Sequence, residues 1–145
     1  MAVRRVCLAG EHILREKSVE VKELTPGVSK LICDMFDTMH DKGGVGLAAP
    51  QVGELLRIIV TDIDDKHPIC LINPVIEKSE MMQHASEKCL SVPGVRLKIR
   101  RPGHIIVKGL DRDFKETTIE AYGELSRCIC HEIDHLDGIL FTDRK

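Results

Sequence analysis

The feature that most constrains the fold is a series of short β-branched segments between residues 57 and 121. Segments of this kind, bounded by Gly, Pro, Asn and Asp, are typical of strands. The sequence predicts strands at residues 57–62, 69–77, 96–100, 104–110 and 117–121. The segments that connect them contain no helix-length insertion, which favours antiparallel pairing over a parallel sheet with crossover helices.

Two predicted helices flank these strands. The first begins at Thr25, which precedes a proline at the first helical position, and it ends at Gly43 and Gly44. The second runs from about residue 124 to residue 137, and Gly138 ends it. Its predicted inner side carries Leu125, Cys128, Ile129 and Leu136. We therefore predict an α+β fold, with an early N-terminal helix and an antiparallel or mixed β-sheet meander packed around the late helix.

The 145 residues, of which 43% are apolar and 30% charged, fit one globular domain spanning residues 1–145. There is no apolar run of about 20 residues and no secretory signal, so we expect a soluble, cytoplasmic protein without a membrane partner. A formal net charge of −2 and 3% aromatic residues argue against a nucleic-acid partner. Without a secretion signal, the six cysteines are expected to be mostly buried thiols.

The late helix carries a candidate metal site. His131 and His135 lie four residues apart, and on a helix this spacing places two imidazoles on one face, about 6 Å apart. Glu132 is turned by about 100° from His131, so it can reach a metal-bound water without being a ligand. This is the arrangement of the HExxH metallohydrolases. The same spacing also arises by chance on solvated helix faces, so a third ligand is needed to support the interpretation.

A catalytic metal site requires three protein ligands and one open position. Downstream of the motif, Asp143 is the one possible oxygen ligand. Upstream, Cys89 lies in a polar, turn-rich segment between two predicted strands, and it is our candidate. Spacing alone does not decide this choice, because a free cysteine is more often a small core residue. The competing thiols are Cys70, Cys128 and Cys130.

Three segments in order resemble the signature motifs of the peptide deformylases. They are GVGLAAPQVG at residues 44–53, EKCLS at 87–91 and HEIDHLDG at 131–138. The resemblance extends over nearly the whole chain. It implies a monomeric hydrolase that removes the formyl group from N-formyl peptides or nascent chains, which begin with formylmethionine, and releases formate.

The resemblance also implies a role for each matching residue. The metal ligands would be Cys89, His131 and His135. Glu132 would serve as general base and acid, while the side chain of Gln51 and the backbone N–H of Leu90 would donate to the developing oxyanion. The segment Gly44, Val45 and Gly46 would let a substrate backbone pair beside it like an added strand. Without the resemblance, a plain turn after the first helix is the less favoured alternative for this segment.

The implied cofactor is one divalent metal ion per chain. A thiolate with two imidazoles suits zinc. The resemblance instead points to Fe²⁺ as the physiological ion, with Zn²⁺, Ni²⁺ or Co²⁺ as substitutes. An iron form would be sensitive to oxygen and peroxide.

The chain departs from the family pattern around the substrate cleft. Lys88 stands where the family usually has glycine, and Cys130 where it usually has glutamine. Glu124 and Arg127 stand where apolar residues usually line the pocket for the methionine side chain. Two alternatives stay open: a pocket changed by these charges, or an ordinary exposed ion pair between the two residues. Lys88 and Arg96 are further candidates for shaping the cleft, unless their side chains point to solvent.

Two other functions stay open at this point. The motif of the late helix also fits a metallopeptidase that cleaves internal peptide bonds, although the small size and the cysteine ligand argue against it. A catalytically weak binding homologue is the second alternative, although it would need neither Glu132 nor Gln51. Many family members continue into a further helix that can contact the ribosome. Because this sequence stops soon after the third motif, ribosome contact is a weak expectation.

Overall fold

The computed structural model describes residues 2–145, so Met1 of the predicted domain lies outside the described residues. The helices are α1 (Pro26–Asp41) and α2 (Gly123–Leu136). The strands are β1 (Gly46–Ala48), β2 (Ile58–Thr61), β3 (Ile69–Cys89), β4 (Val92–Leu110) and β5 (Glu116–Tyr122). Residues 2–145 also contain short 3₁₀ helices at His12–Arg15, Ala49–Val52 and Phe141–Arg144.

The strands form one sheet in the order β1-β2-β3-β4-β5, and each neighbouring pair is antiparallel. The predicted α+β meander is therefore confirmed, with an antiparallel rather than a mixed sheet. None of the helices within residues 2–145 is long and apolar enough to cross a membrane.

The extents of the two central strands were predicted wrongly. The segments 96–100 and 104–110 form one continuous β4, and β3 continues beyond residue 77 to Cys89. Residues 77–88 of β3 are mostly exposed, so they show no alternation of apolar and polar residues. They are strand because they pair with β4 along a long hairpin, from Ile76↔Val107 to Cys89↔Val92. Backbone pairing of this kind leaves little trace in hydrophobicity.

Strand β1 was missed, because its three residues are too few to show a periodic pattern. It pairs with β2 through Gly46↔Thr61 and Ala48↔Ile59. The segment around Gly46 therefore belongs to the sheet and is not a plain turn. In the strand order, β1 occupies one edge.

Helix α1 begins as predicted. Thr25 Oγ1 accepts a hydrogen bond of 3.1 Å from the backbone N–H of Val28, and Pro26 follows the cap. Together these features satisfy a free N–H group and preset the first turn. Leu31, Met35 and other apolar residues of α1 are buried against one face of the sheet.

Helix α2 packs on the opposite face of the sheet, where Ile129 and Leu136 are buried against Ile105 and Val107. Leu125, also predicted for the inner side, packs there while partly exposed. Cys128 was placed wrongly on this side, because its thiol is half-buried and lines a cavity on the other side of the helix. The apolar side of α2 thus fixes the helix on the sheet and turns its polar side towards the cavity.

Candidate metal centre

Three side chains from two distant segments meet at one buried point. Cys89 ends β3, while His131 and His135 lie on consecutive turns of α2. Their ligand atoms all lie within 4.8 Å of one another. Cys89 Sγ is 3.4 Å from His135 Nε2, and the two imidazole centroids are 5.2 Å apart. The three predicted ligands therefore lie together, and Cys89 rather than Cys70, Cys128 or Cys130 is the thiol beside the two imidazoles.

The two imidazoles differ in their pKa values, and an ion that binds both must displace a proton from His131. Burial, together with the neighbouring His131, lowers the pKa of His135 to about 3, so its ring stays neutral and keeps a lone pair available. Burial also disfavours charge on His131, but interactions with Cys89 and Glu87 outweigh it and raise the pKa of His131 to about 10. A thiol and two imidazoles at this spacing are a typical divalent-ion donor set.

Glu87 orients one of the ligands, although sequence reasoning gave it no role. Its Oε1 accepts a hydrogen bond of 2.8 Å from His131 Nδ1, which leaves the other ring nitrogen for the ion. Arg101 Nε donates to Glu87 Oε2 at 2.8 Å. Burial raises the pKa of Glu87, but the bonds to His131 and Arg101 dominate and lower it to about 2. The one signal in the sequence was an acid two residues before the ligand cysteine.

Glu132 is buried beside the metal ligands. Its side chain is 4% exposed, and Oε1 has no hydrogen-bond partner among residues 2–145. Burial raises the pKa of Glu132 to about 7, against the opposing charges of His131 and Arg101. A carboxyl group with a pKa near neutrality is suited to both accepting and donating a proton.

Gln51 is held rigidly next to the thiol. Its Oε1 accepts a hydrogen bond of 2.9 Å from the backbone N–H of Ala48. Its Nε2 donates to Ser91 Oγ at 3.0 Å and approaches Cys89 Sγ at 3.6 Å. The donor end of the amide therefore faces the metal ligands. Ser91, which fixes this orientation, was not singled out in the sequence.

A cavity of about 450 Å³ opens over this centre. Its lining includes Gln51, Cys89, Leu90, His131 and Glu132. It also includes every residue that the sequence suggested for substrate binding, namely Gly44, Val45, Gly46, Lys88, Arg96, Glu124 and Arg127.

The charged residues of the cavity differ in position. Lys88, Arg96 and Glu124 are exposed, so their side chains extend into solvent at its rim. Arg127 is half-buried and donates a short hydrogen bond to Gln83 Oε1 on β3. Within residues 2–145, Glu124 and Arg127 do not form the ion pair that the sequence offered as an alternative.

A family model described as polypeptide deformylase matches residues 3–145. The peptide deformylase of Lachnoclostridium phytofermentans is 47% identical over 146 residues, covering 99% of this chain and 90% of that protein. That of Desulfitobacterium hafniense is also 47% identical, over 144 residues that cover 99% of this chain and 95% of that protein.

Solved structures show the same similarity. A peptide deformylase from Legionella pneumophila superposes with a TM-score of 0.97 at 42% identity, covering 99% of this chain and 86% of that one. A peptide deformylase from Ehrlichia chaffeensis in complex with actinonin gives a TM-score of 0.97 at 39% identity, covering 100% of this chain and 90% of that one.

Proposed function

The chain belongs to the peptide deformylase family, and from this premise we propose that it hydrolyses the formyl amide of N-formyl peptides and nascent chains. The observation that carries the proposal is the buried Cys89, His131 and His135 centre, with Glu132 beside it in an open cavity. We also propose that residues 1–145 act as one catalytic domain and as a monomer, and that they work in the cytoplasm, where nascent chains are made.

A divalent ion held by Cys89, His131 and His135 would supply a water molecule acidified to near neutrality. Glu132 Oε1, which has no hydrogen-bond partner within residues 2–145, would accept a proton from the attacking water. Glu132 would later give a proton to the leaving amine. Both transfers are favoured near neutral pH, because burial brings the pKa of Glu132 to about 7.

Charge that develops on the formyl oxygen needs fixed donors. Gln51 Nε2 is one, because Ser91 and Ala48 hold its amide beside Cys89. The backbone N–H of Leu90 is the second proposed donor, at the turn that follows Cys89. Donors that are positioned before the reaction stabilise the oxyanion without reorganising in the transition state.

The edge strand β1 offers the place for the peptide backbone. Residues 44–46 line the cavity, and β1 is paired with β2 on one side of its edge position. A peptide added along the cavity side would bond to main-chain groups, while its first side chain enters the cavity. Gly44 and Gly46 allow the close approach that such pairing requires.

The first side chain of the substrate would meet a mixed surface. Cys128 and Leu90 give the cavity an apolar part that suits methionine. Glu124 and Arg127 add charge, so we propose that the pocket tolerates polar first side chains better than an all-apolar pocket would. Because Gln83 holds Arg127, its guanidinium is not free to retract into solvent.

Fe²⁺ is the proposed physiological ion. The donor set of one thiolate and two imidazoles also accepts Zn²⁺, Ni²⁺ or Co²⁺. Activity of protein prepared without oxygen, with each ion added back, would distinguish them.

The testing experiment measures formate release from formyl peptides that begin with methionine, leucine, lysine or glutamate, using anaerobically prepared, Fe²⁺-loaded protein. We expect rapid release from the methionine peptide and measurable release from a charged one. Glu132→Gln should lower kcat by about 10²–10⁴-fold while the ion is retained, because only proton transfer is removed.

Two results would contradict this proposal. Absence of formate from every peptide, with metal bound, would favour a binding homologue. Cleavage of casein at internal bonds by wild type, lost in Glu132→Gln, would favour a metallopeptidase.

A further inference from the structure

Arg144 forms a bidentate ion pair with a carboxylate on the metal-binding helix. This residue lies in the C-terminal 3₁₀ helix, outside all three motifs. Its Nε is 2.5 Å from Asp134 Oδ2, and its Nη2 is 2.9 Å from Asp134 Oδ1. Two parallel bonds to one carboxylate fix both its position and its plane. Asp134 itself lies directly before His135.

The same carboxylate continues inward to a buried arginine. Arg101 Nη1 donates to Asp134 Oδ2 at 2.6 Å, and the Arg101 side chain is 3% exposed. Arg101 also holds Glu87, whose carboxylate accepts from the Nδ1 of His131. An unbroken series of charged contacts therefore leads from Arg144 to a metal ligand.

The sign of the charges alternates along this series. Asp134 has a cationic partner on each side, Arg101 and Arg144, while Arg101 lies between two carboxylates. Removing Arg144 leaves Asp134 with Arg101 alone. Arg101 would then be free to shift towards Asp134, away from Glu87, and a poorly paired buried charge favours such a shift.

A second contact supports the same segment. Phe141 of the C-terminal 3₁₀ helix is 1% exposed, and its ring centroid lies 5.8 Å from that of His131. The helix is also anchored elsewhere, because Arg15 Nη1 is 2.5 Å from Asp143 Oδ2. Arg15 therefore fastens the same helix without touching Asp134, which makes it a matched comparison for Arg144.

We propose that Arg144 is a positioning residue for the metal centre. Through its contacts with Asp134, Arg101 and Glu87, it holds His131 in the orientation of a metal ligand. The inference concerns retention of the ion and not the turnover of formyl peptides. Its failure can therefore be distinguished from failure of the proposed function.

The test measures the rate at which Co²⁺ leaves the protein to an excess of chelator, and the Co²⁺ absorption spectrum of the thiolate-ligated centre. Removing a group that directly supports a ligand typically costs 10–100-fold in affinity, and Arg144 acts at a greater distance. We expect Arg144→Ala to release Co²⁺ roughly 5-fold faster and to alter the spectrum. Arg144→Lys should restore part of the loss, because it keeps the charge but not the bidentate geometry.

Arg15→Ala is the control, with thermal unfolding of all variants recorded in parallel. It should destabilise the C-terminal 3₁₀ helix yet change Co²⁺ release by less than about 2-fold. The double variant Asp134→Asn with Arg144→Ala should release Co²⁺ no faster than Asp134→Asn alone, because both changes interrupt one series. Equal effects of Arg15→Ala and Arg144→Ala, or wild-type release from Arg144→Ala, would overturn the proposal.

Discussion

At the scale of single residues, Gly46 lies so close to Glu132 and Cys128 that the cavity has no room for a side chain at this position. A Cβ atom on Gly46 would lie 2.6 Å from Glu132 Oε2 and 2.8 Å from Cys128 Sγ. Both distances are below a normal contact, so the Glu132 carboxylate and the backbone of β1 fix each other's position. The lack of a side chain at position 46 therefore sets the position of Glu132 as well as the space beside β1.

We predict that Gly46→Ala lowers kcat/KM by about 10²-fold, because a displacement near 1 Å at a reacting group has an effect of this size. Steady-state formate release measures it. Gly27→Ala is the control, since its Cβ would meet Thr25 Oγ1 at an ordinary 3.7 Å. Adding Cys128→Ala to Gly46→Ala should restore part of the activity by making space. An unchanged rate in Gly46→Ala would show that Glu132 moves aside freely.

Which site residues could be predicted depends on whether they carry a chemical signature. The helical spacing of His131 and His135 allows a metal site without deciding for one, and the motif resemblance selects Cys89 as the third ligand. Glu87 and Ser91 lie within the second motif, but their residue types do not indicate their roles, because carboxylates and hydroxyls are common in strands and turns. Their roles follow from long-range contacts, to His131 and to Gln51, that only the folded chain creates.

At the scale of elements, one histidine joins three strands on the outer part of the sheet. His104 of β4 contacts Glu80 of β3 through Nδ1 at 2.6 Å and Glu120 of β5 through Nε2 at 2.8 Å. Its ring stacks on Tyr122 with a centroid distance of 4.3 Å. Both ring nitrogens donate to carboxylates only when the imidazole is protonated.

This arrangement predicts a pH-dependent stability of the hairpin. The carboxylates of Glu120 and Glu80 raise the pKa of His104 above its ordinary value, despite desolvation. The contribution of His104 to the stability of the fold is therefore fully present below about pH 6.5, the ordinary histidine pKa. It is lost as the pH rises through the pKa that His104 has in the folded protein. The pKa of Glu120 is lowered mainly by His104 and to a smaller extent by Lys78.

Thermal unfolding of wild type and His104→Gln between pH 6 and pH 9 measures the effect. The difference in Tm between the two proteins should be largest at the acidic end and should shrink as the pH rises. His12→Gln, which removes an exposed histidine, should give a difference that does not follow this course. A wild-type advantage that grows with pH would contradict the assignment.

The elements themselves were predictable to different degrees. Helix α1 shows its cap, its proline and its apolar spacing, so both its existence and its start were predicted correctly. The outer halves of β3 and β4 project beyond the core, where strand formation depends on pairing between the two segments. Met81 and Met82 are exposed there, although apolar residues are usually buried. The hydrophobicity of this segment therefore indicates neither the strand nor the exposure of its side chains.

At the scale of the whole molecule, the metal centre lies where the hairpin and the metal-binding helix meet. The antiparallel α+β arrangement could be predicted, because short strands without crossover helices allow few other sheets. The placement of α1 and α2 on opposite faces could not, since apolar stripes do not specify which face they cover. In the structure, α1 and α2 belong to two separate apolar clusters, one with each face of the sheet.

Removal of the ion should destabilise the whole fold, because a ligand that binds only the native state stabilises it by mass action. We predict that a chelator lowers Tm by roughly 10 °C. Calorimetry with and without the chelator measures the shift, and re-addition of Co²⁺ should reverse it. His135→Ala, which lacks a ligand, should show little response to either treatment. An equal response of this variant would mean that the chelator acts elsewhere.

Cys89 and His135 are separated by 46 positions in the chain. An ion that joins them acts as a removable cross-link across that loop, and by the chain-entropy estimate for a disulfide such a closure contributes about 4 kcal/mol. A bound ion would therefore stabilise the fold as well as take part in the reaction. When a cell runs short of the ion, the apo chain should open more often and present itself to proteases, so the amount of protein would fall together with its activity.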